Sequence, residues 1–123
     1  VKLHLSGPDG RYYFTGYGED HVLVNGERLS FGLILTPVLL DREALASVSF
    51  ELLLESHFSH LAGLGAEIIL LGTGPKLRFP HPRLTRPLIE ARIGLEVMDT
   101  GAACRTYNIL AGEGRKVAAA ILA

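Results

Sequence analysis

What this chain has little of narrows its identity faster than what it has in abundance. Among 123 residues there is one cysteine, Cys104, one methionine and no tryptophan. A lone cysteine cannot close an internal disulfide, and such sparing use fits a reducing compartment. Charge of one sign is equally scarce. Twelve basic side chains stand against thirteen acidic ones for a formal charge of −1, and no block of like charge occurs. That balance argues against a nucleic-acid partner and against a polybasic membrane patch. No stretch approaches the roughly 20 apolar residues needed to cross a bilayer, so the chain is not expected to be an integral membrane protein. The opening Val1-Lys2-Leu3-His4 has neither the apolar core of a signal peptide nor the Arg/Ser bias of a transit peptide. A cytoplasmic location is therefore the expectation.

Apolar residues are plentiful instead. Their share is 48% and the mean hydropathy is +0.28, high for one short domain spanning 1–123. A small domain has much surface for its volume, so two explanations stand. Either a sheet is buried on both faces, or some apolar surface meets a protein partner or a second copy of the chain.

Hydropathy patterning supplies the elements. Tyr12 to Tyr17 is aromatic and β-prone, His21 to Val24 follows, and Asn25-Gly26 links that run to Glu27-Arg28-Leu29. Asn-Gly between such flanks predicts a hairpin, because both central residues of a type I′ turn need positive φ. Leu33 to Thr36, before Pro37, is a further strand, so the first third reads as a β-meander. Leu45 to Phe50 is ambiguous between strand and helix. Leu54 to Leu64 reads as a helix with Leu54, Phe58, Leu61 and Ala62 on one face. Then come an apolar strand at Ile68 to Leu71, a helix over about Arg83 to Ile93, and a strand at Leu95 to Met98. A helix from Thr100 to about Ala111 and a last strand at Val117 to Leu122 complete the series. These spacings suit two right-handed crossovers in a parallel sheet. The expected fold is thus α/β: an N-terminal β-meander joined to a βαβαβ half.

The densest chemistry lies in Met98-Asp99-Thr100-Gly101-Ala102-Ala103-Cys104-Arg105-Thr106-Tyr107-Asn108. If the strands ending at Leu71 and Met98 are parallel neighbours, Gly72-Thr73-Gly74 and Asp99-Thr100-Gly101 flank a crevice at one sheet edge. Open α/β sheets bind ligands at such edges. Gly72, Thr73, Gly74, Asp99, Thr100, Cys104 and Arg105 are the candidate ligand-binding residues, with Arg105 as an anion contact. A structural role competes for each: glycines serve tight turns, and Asp99 caps its helix. Gly72 to Leu77 matches neither a dinucleotide fingerprint nor a P-loop, since Pro75 intrudes and no Gly-Lys-Ser/Thr ending follows.

A projection at 100° per residue puts Ala103, Thr106, Tyr107 and Leu110 on the core face. Cys104 falls on the flank, as a packing residue does, and Arg105 and Asn108 point away. His57 and His60 are three apart, but no third ligand completes a zinc-like spacing, so surface histidines are expected. No catalytic residue, metal or cofactor is assigned.

The same stretch carries a resemblance. With Leu70-Leu71-Gly72-Thr73-Gly74 before it and Glu113-Gly114-Arg115-Lys116-Val117-Ala118-Ala119-Ala120 after it, the chain resembles the family called domain of unknown function 498, of Mth938-like fold. Gly16-Tyr17-Gly18 and Val24-Asn25-Gly26 extend the likeness toward the start. The resemblance implies a three-layer α/β domain around a central mixed sheet and no established enzymatic activity. It also implies a tie to mitochondrial complex I assembly factor 3, a matrix protein, and hence complex I assembly components as partners. Two functional readings follow: a non-enzymatic binding or assembly module, or a small-molecule site, enzymatic or not, between the 72–74 and 99–101 loops.

Overall fold

The structure, a computed structural model, describes residues 1, 3 and 10–123. Residues 1–8, which read in the sequence as a short segment that frays at its start, lie outside the described residues apart from Val1 and Leu3. The first hairpin forms where Asn25-Gly26 predicts it. Strands β1 (Phe14–Tyr17), β2 (His21–Val24) and β3 (Glu27–Ser30) pair antiparallel in that order. Asn25 and Gly26 have φ of 48° and 86°, as a type I′ turn requires. The Asn25 amide also accepts from the Tyr13 N–H and donates to the Arg11 carbonyl, both at 3.0 Å, anchoring the turn to the chain before β1.

The meander does not stay in one sheet. β4 (Leu33–Thr36) leaves the first three strands and pairs antiparallel with β5 (Leu39–Asp41) and with β8 (Val117–Ile121). The burial pattern explains the split. Residues of β1 and β2 alternate between buried and half-exposed, whereas every residue of β4 is buried. A strand apolar on both sides belongs inside a sheet covered on both faces; one-sided strands serve as a cover. The chain changes sheet at Gly32, whose φ is 91°. A Cβ there would lie 2.6 Å from the Leu45 carbonyl oxygen, so the turn admits no side chain.

The central sheet runs β5-β4-β8-β6-β7, where β6 is Ile68–Gly72 and β7 is Gly94–Met98. β6 pairs parallel with both β7 and β8. Its strands divide their side chains with a period of two. Leu33, Leu35, Leu70, Val117, Ala119 and Ile121 enter one core; Ile34, Ile69, Leu71, Ala118, Ala120 and Leu122 enter the other. The first core is closed by α3 (Thr100–Gly112) together with the three-stranded sheet, through Phe14, Val22, Val24 and Leu29. The second is closed by α1 (Glu55–Ala62) and the short α2 (Arg86–Glu90), with Phe58, Leu61 and Leu88 as knobs. Much of the 48% apolar share is thus consumed by a sheet packed on both faces.

Three local expectations change. Leu45 to Phe50 is neither strand nor regular helix but turns leading into a 3-10 segment at Phe50–Leu52. Leu54 is the residue before α1 and is exposed, while Phe58 and Leu61 form the buried face. The helix expected over 83–93 shrinks to Arg86–Glu90, and Ile89 is exposed. Pro87 sets its start, because proline is accommodated only in a helix's first turn, and Arg92, at φ 58°, has left the helical conformation just past its end.

Candidate functional site

β6 and β7 end side by side, and the 72–74 and 99–101 loops meet beyond them. They do not leave a crevice between themselves. The Gly74 N–H donates to Thr100 Oγ1 and the Thr100 N–H to the Gly74 carbonyl, both at 2.9 Å, and the Thr73 N–H reaches the Met98 carbonyl at 3.0 Å. These bonds stitch the two loops into one ledge. Thr73 is buried; its hydroxyl donates to the Lys76 carbonyl at 2.6 Å and accepts from the Arg78 N–H at 3.3 Å, so it staples its own turn. Gly72 is buried where α3 crosses β6: an added Cβ would sit 3.0 Å from Ile121 Cδ1 and 3.3 Å from Ala103 Cβ.

α3 begins on Asp99. Its Oδ1 accepts the Ala102 N–H at 2.9 Å and its carbonyl the Ala103 N–H at 2.9 Å, while the Thr100 N–H goes to Gly74. The carboxylate also sits favourably against the positive end of the helix dipole. The Gly101 N–H has no partner among the described residues.

Beside this ledge a cleft of about 330 Å³ opens toward the β1–β2 turn. Gly74, Pro75, Asp99, Thr100, Gly101 and Arg105 form one wall, and Tyr17, Gly18, Glu19 and Phe31 the other, with Val1 at its margin. The Tyr17 ring lies so close to α3 that a Cβ on Gly101 would fall 2.8 Å from it. The Arg105 guanidinium donates to the Tyr17 hydroxyl and stands 5.8 Å from the ring centroid. Of the candidate residues, Gly74, Asp99, Thr100 and Arg105 therefore reach the cleft; Gly72, Thr73 and Cys104 do not. Tyr17, Glu19, Phe31 and Pro75 join it without a sequence signal of their own. Gly16-Tyr17-Gly18, part of the resemblance, was the one hint toward Tyr17.

Cys104 lies on the buried side of α3 and has no exposed surface. Burial pushes its thiol up to about 12, with Arg105 opposing and Asp99 reinforcing the shift. A thiol so placed is not an available nucleophile. Tyr107, also fully buried, meets Phe14 edge-on with ring centroids 5.2 Å apart and donates its hydroxyl to the Tyr12 carbonyl at 2.9 Å. Burial holds its phenol protonated, well above the usual range. Asn108 does not point into solvent as the projection has it. Its Nδ2 donates to the Phe14 carbonyl at 2.8 Å and its Oδ1 accepts the Phe14 N–H at 3.0 Å, imitating a neighbouring strand. Arg105 is likewise engaged, by Tyr17. The helical projection assumed one covered face, whereas the three-stranded sheet covers a second.

Four histidines take local jobs. His57 Nδ1 accepts the Leu54 N–H at 2.9 Å and His81 Nδ1 the Arg83 N–H at 3.0 Å; His21 meets Asp20 at 2.8 Å and His60 meets Asp41 at 3.5 Å. Among the described residues no cluster of three or more His, Cys, Asp or Glu could hold a metal ion.

The family model for proteins of unknown function DUF498/DUF598 matches residues 14–122. The chain belongs to this family. A solved structure of a Bordetella pertussis protein described as a Mth938-like domain is similar, with a TM-score of 0.80 and 30% identity over 99% of this chain and 92% of that one. Two relatives of different kinds are similar to this chain. The bovine NADH dehydrogenase [ubiquinone] 1 alpha subcomplex assembly factor 3 is 31% identical over 112 residues, 89% of this chain and 60% of its own. This chain therefore spans less than two thirds of that relative. The 13 kDa major membrane protein of Francisella tularensis is 29% identical over 112 residues, 89% of each chain. Among the described residues no helix is long and apolar enough to cross a membrane.

Proposed function

We propose that this protein is a non-enzymatic binding module acting in the assembly of respiratory complex I. The observation that carries the reading is the 112-residue match to a complex I assembly factor, which takes in 89% of this chain. The site geometry supports it. The residues with most chemical capacity, Cys104, Tyr107, Asn108 and Asp99, are spent on packing, on holding β1 and on capping α3. In cells that make complex I, a tagged copy should co-purify with complex I subunits or their assembly proteins in stoichiometric amounts. Loss of the gene should deplete the assembled complex on native gels. Recovery of the tagged protein alone, with assembled complex unchanged after deletion, counts against the proposal.

The cleft beside Asp99 favours a second reading, a small-molecule site, because Arg105 and the unpartnered Gly101 N–H face a space of about 330 Å³. The ligand would carry an anionic or carbonyl oxygen for those donors and an apolar body against Phe31 and Pro75. A thermal-shift screen against metabolites tests it. A stabilising compound whose effect disappears in Arg105→Ala supports the site; a panel of carboxylates and phosphates that leaves Tm unmoved discards it.

A further inference from the structure

The other end of the central sheet has a different chemistry. Where β6 and β8 begin, a recess of about 300 Å³ is lined by Arg11, Arg115 and Lys116 together with Pro37, Val38 and Leu64. Among the described residues no acidic side chain lines it. Arg115 and Lys116 are exposed, and neither side chain takes part in an ion pair among the described residues. Arg28, Arg42 and Arg78 by contrast each have a carboxylate partner. Glu67, whose Oε1 accepts the Lys116 N–H at 3.3 Å, and Glu113, at the end of α3, adjoin the lining residues in sequence without lining the recess, and Asp41 and Glu43 share a surface with Leu39.

Beside these cations stands an apolar tip. Val38 is 85% exposed, more than any other large apolar residue described, and Leu39 next to it is 39% exposed. Two hydrogen bonds hold the turn that carries the tip. The Tyr12 N–H donates to the Pro37 carbonyl at 3.0 Å, and the Val38 N–H donates to Thr36 Oγ1 at 3.2 Å. Cations following a helix C-terminus complement its dipole, but that role requires no protruding valine.

We propose that this end of the sheet docks peripherally on an anionic membrane surface. Val38 and Leu39 enter the headgroup boundary while Arg115 and Lys116 meet lipid phosphates. An acidic protein would be matched by the cations alone. A highly exposed valine sharing a recess with Arg115 and Lys116 fits the layering of a bilayer surface, phosphate outside and hydrocarbon within. The inference does not depend on the assembly reading, since the contact is with lipid alone.

Co-sedimentation of the full chain with vesicles tests it, comparing phosphatidylcholine alone with phosphatidylcholine mixed with phosphatidylserine. The protein should partition onto the mixed vesicles only, and less so as salt rises. Arg115→Ala with Lys116→Ala should lower the partition coefficient roughly 25-fold, at about a factor of five per cation. Val38→Asp, on a fully surface position, should also weaken it while leaving the melting transition in place. No partition onto either vesicle, equal partition onto both, or binding unaffected by these variants overturns the proposal. Capture by soluble polyglutamate without vesicle binding overturns it too, in favour of an acidic protein partner.

Discussion

At the start of α3, Asp99 caps the helix, Thr100 exchanges two hydrogen bonds with Gly74, and Arg105 lies on Tyr17. At its end, Arg115 and Lys116 stand exposed beside Val38 with no ion-pair partner among the described residues. The first group sits in the stretch that carries the family resemblance most strongly, yet its polar atoms are mostly satisfied by the fold itself. The second group looks ordinary in the sequence and has its charge free for something else. Dense chemistry along a chain is therefore not the same as available chemistry on a surface. A polar group already holding the fold together can be released only by weakening the fold, whereas an unpaired surface cation can be removed at almost no cost to stability.

Substitutions at the two ends should separate these roles by size and by kind of effect. The largest loss is expected at Asn108→Ala. It leaves both the N–H and the carbonyl of Phe14 without a partner under the three-stranded sheet, destabilising the protein by about 3 kcal/mol in urea unfolding. A loss of under about 0.5 kcal/mol, the range of ordinary surface changes, would place Asn108 with the surface group instead.

Alkaline pH tests Cys104. Its thiol titrates near 9 when unfolded and at about 12 when folded, so the unfolded state gives up its proton first. The stability this group contributes is complete below pH 9 and is lost as pH rises through the folded value. At pH 10 the loss is about 1 kcal/mol. Cys104→Ala should remove that part of the pH dependence, whatever it does to stability at neutral pH.

Asp99→Ala should cost about 1 kcal/mol through the lost cap, with little effect on vesicle binding. Arg115→Ala with Lys116→Ala should show the reverse pattern: a stability change under about 0.5 kcal/mol and a clear loss of vesicle partition. If both pairs of effects move together, the two ends are not divided as described.

What the sequence disclosed follows the same division between local and distant causes. The Asn25-Gly26 hairpin and the extent of α3 were legible because a turn's φ requirement and an Asp cap act within a few residues. The two-faced strands Ile68 to Leu71 and Val117 to Leu122 were legible from their unbroken apolar runs. The break of the meander at Gly32 was not, because it depends on β4 finding β8 more than eighty residues further along the chain. The positions of Arg105 and Asn108 were misjudged for a related reason. Nothing local announces that β1 lies across the outer side of α3. The basic recess escaped notice because Arg11 and Arg115 are brought together only by the fold. The absence of a charge block argued against a patch that the structure assembles from separate pieces.

Thiol labelling of Cys104 tests most directly the claim that the signature stretch serves architecture. Under native conditions at pH 8 the account predicts modification many-fold slower than in the urea-unfolded chain, with a rate that tracks the unfolding equilibrium as denaturant is added. Labelling of the native protein at the rate of a free thiol, with no dependence on stability, would contradict it and make Cys104 an accessible reactive group.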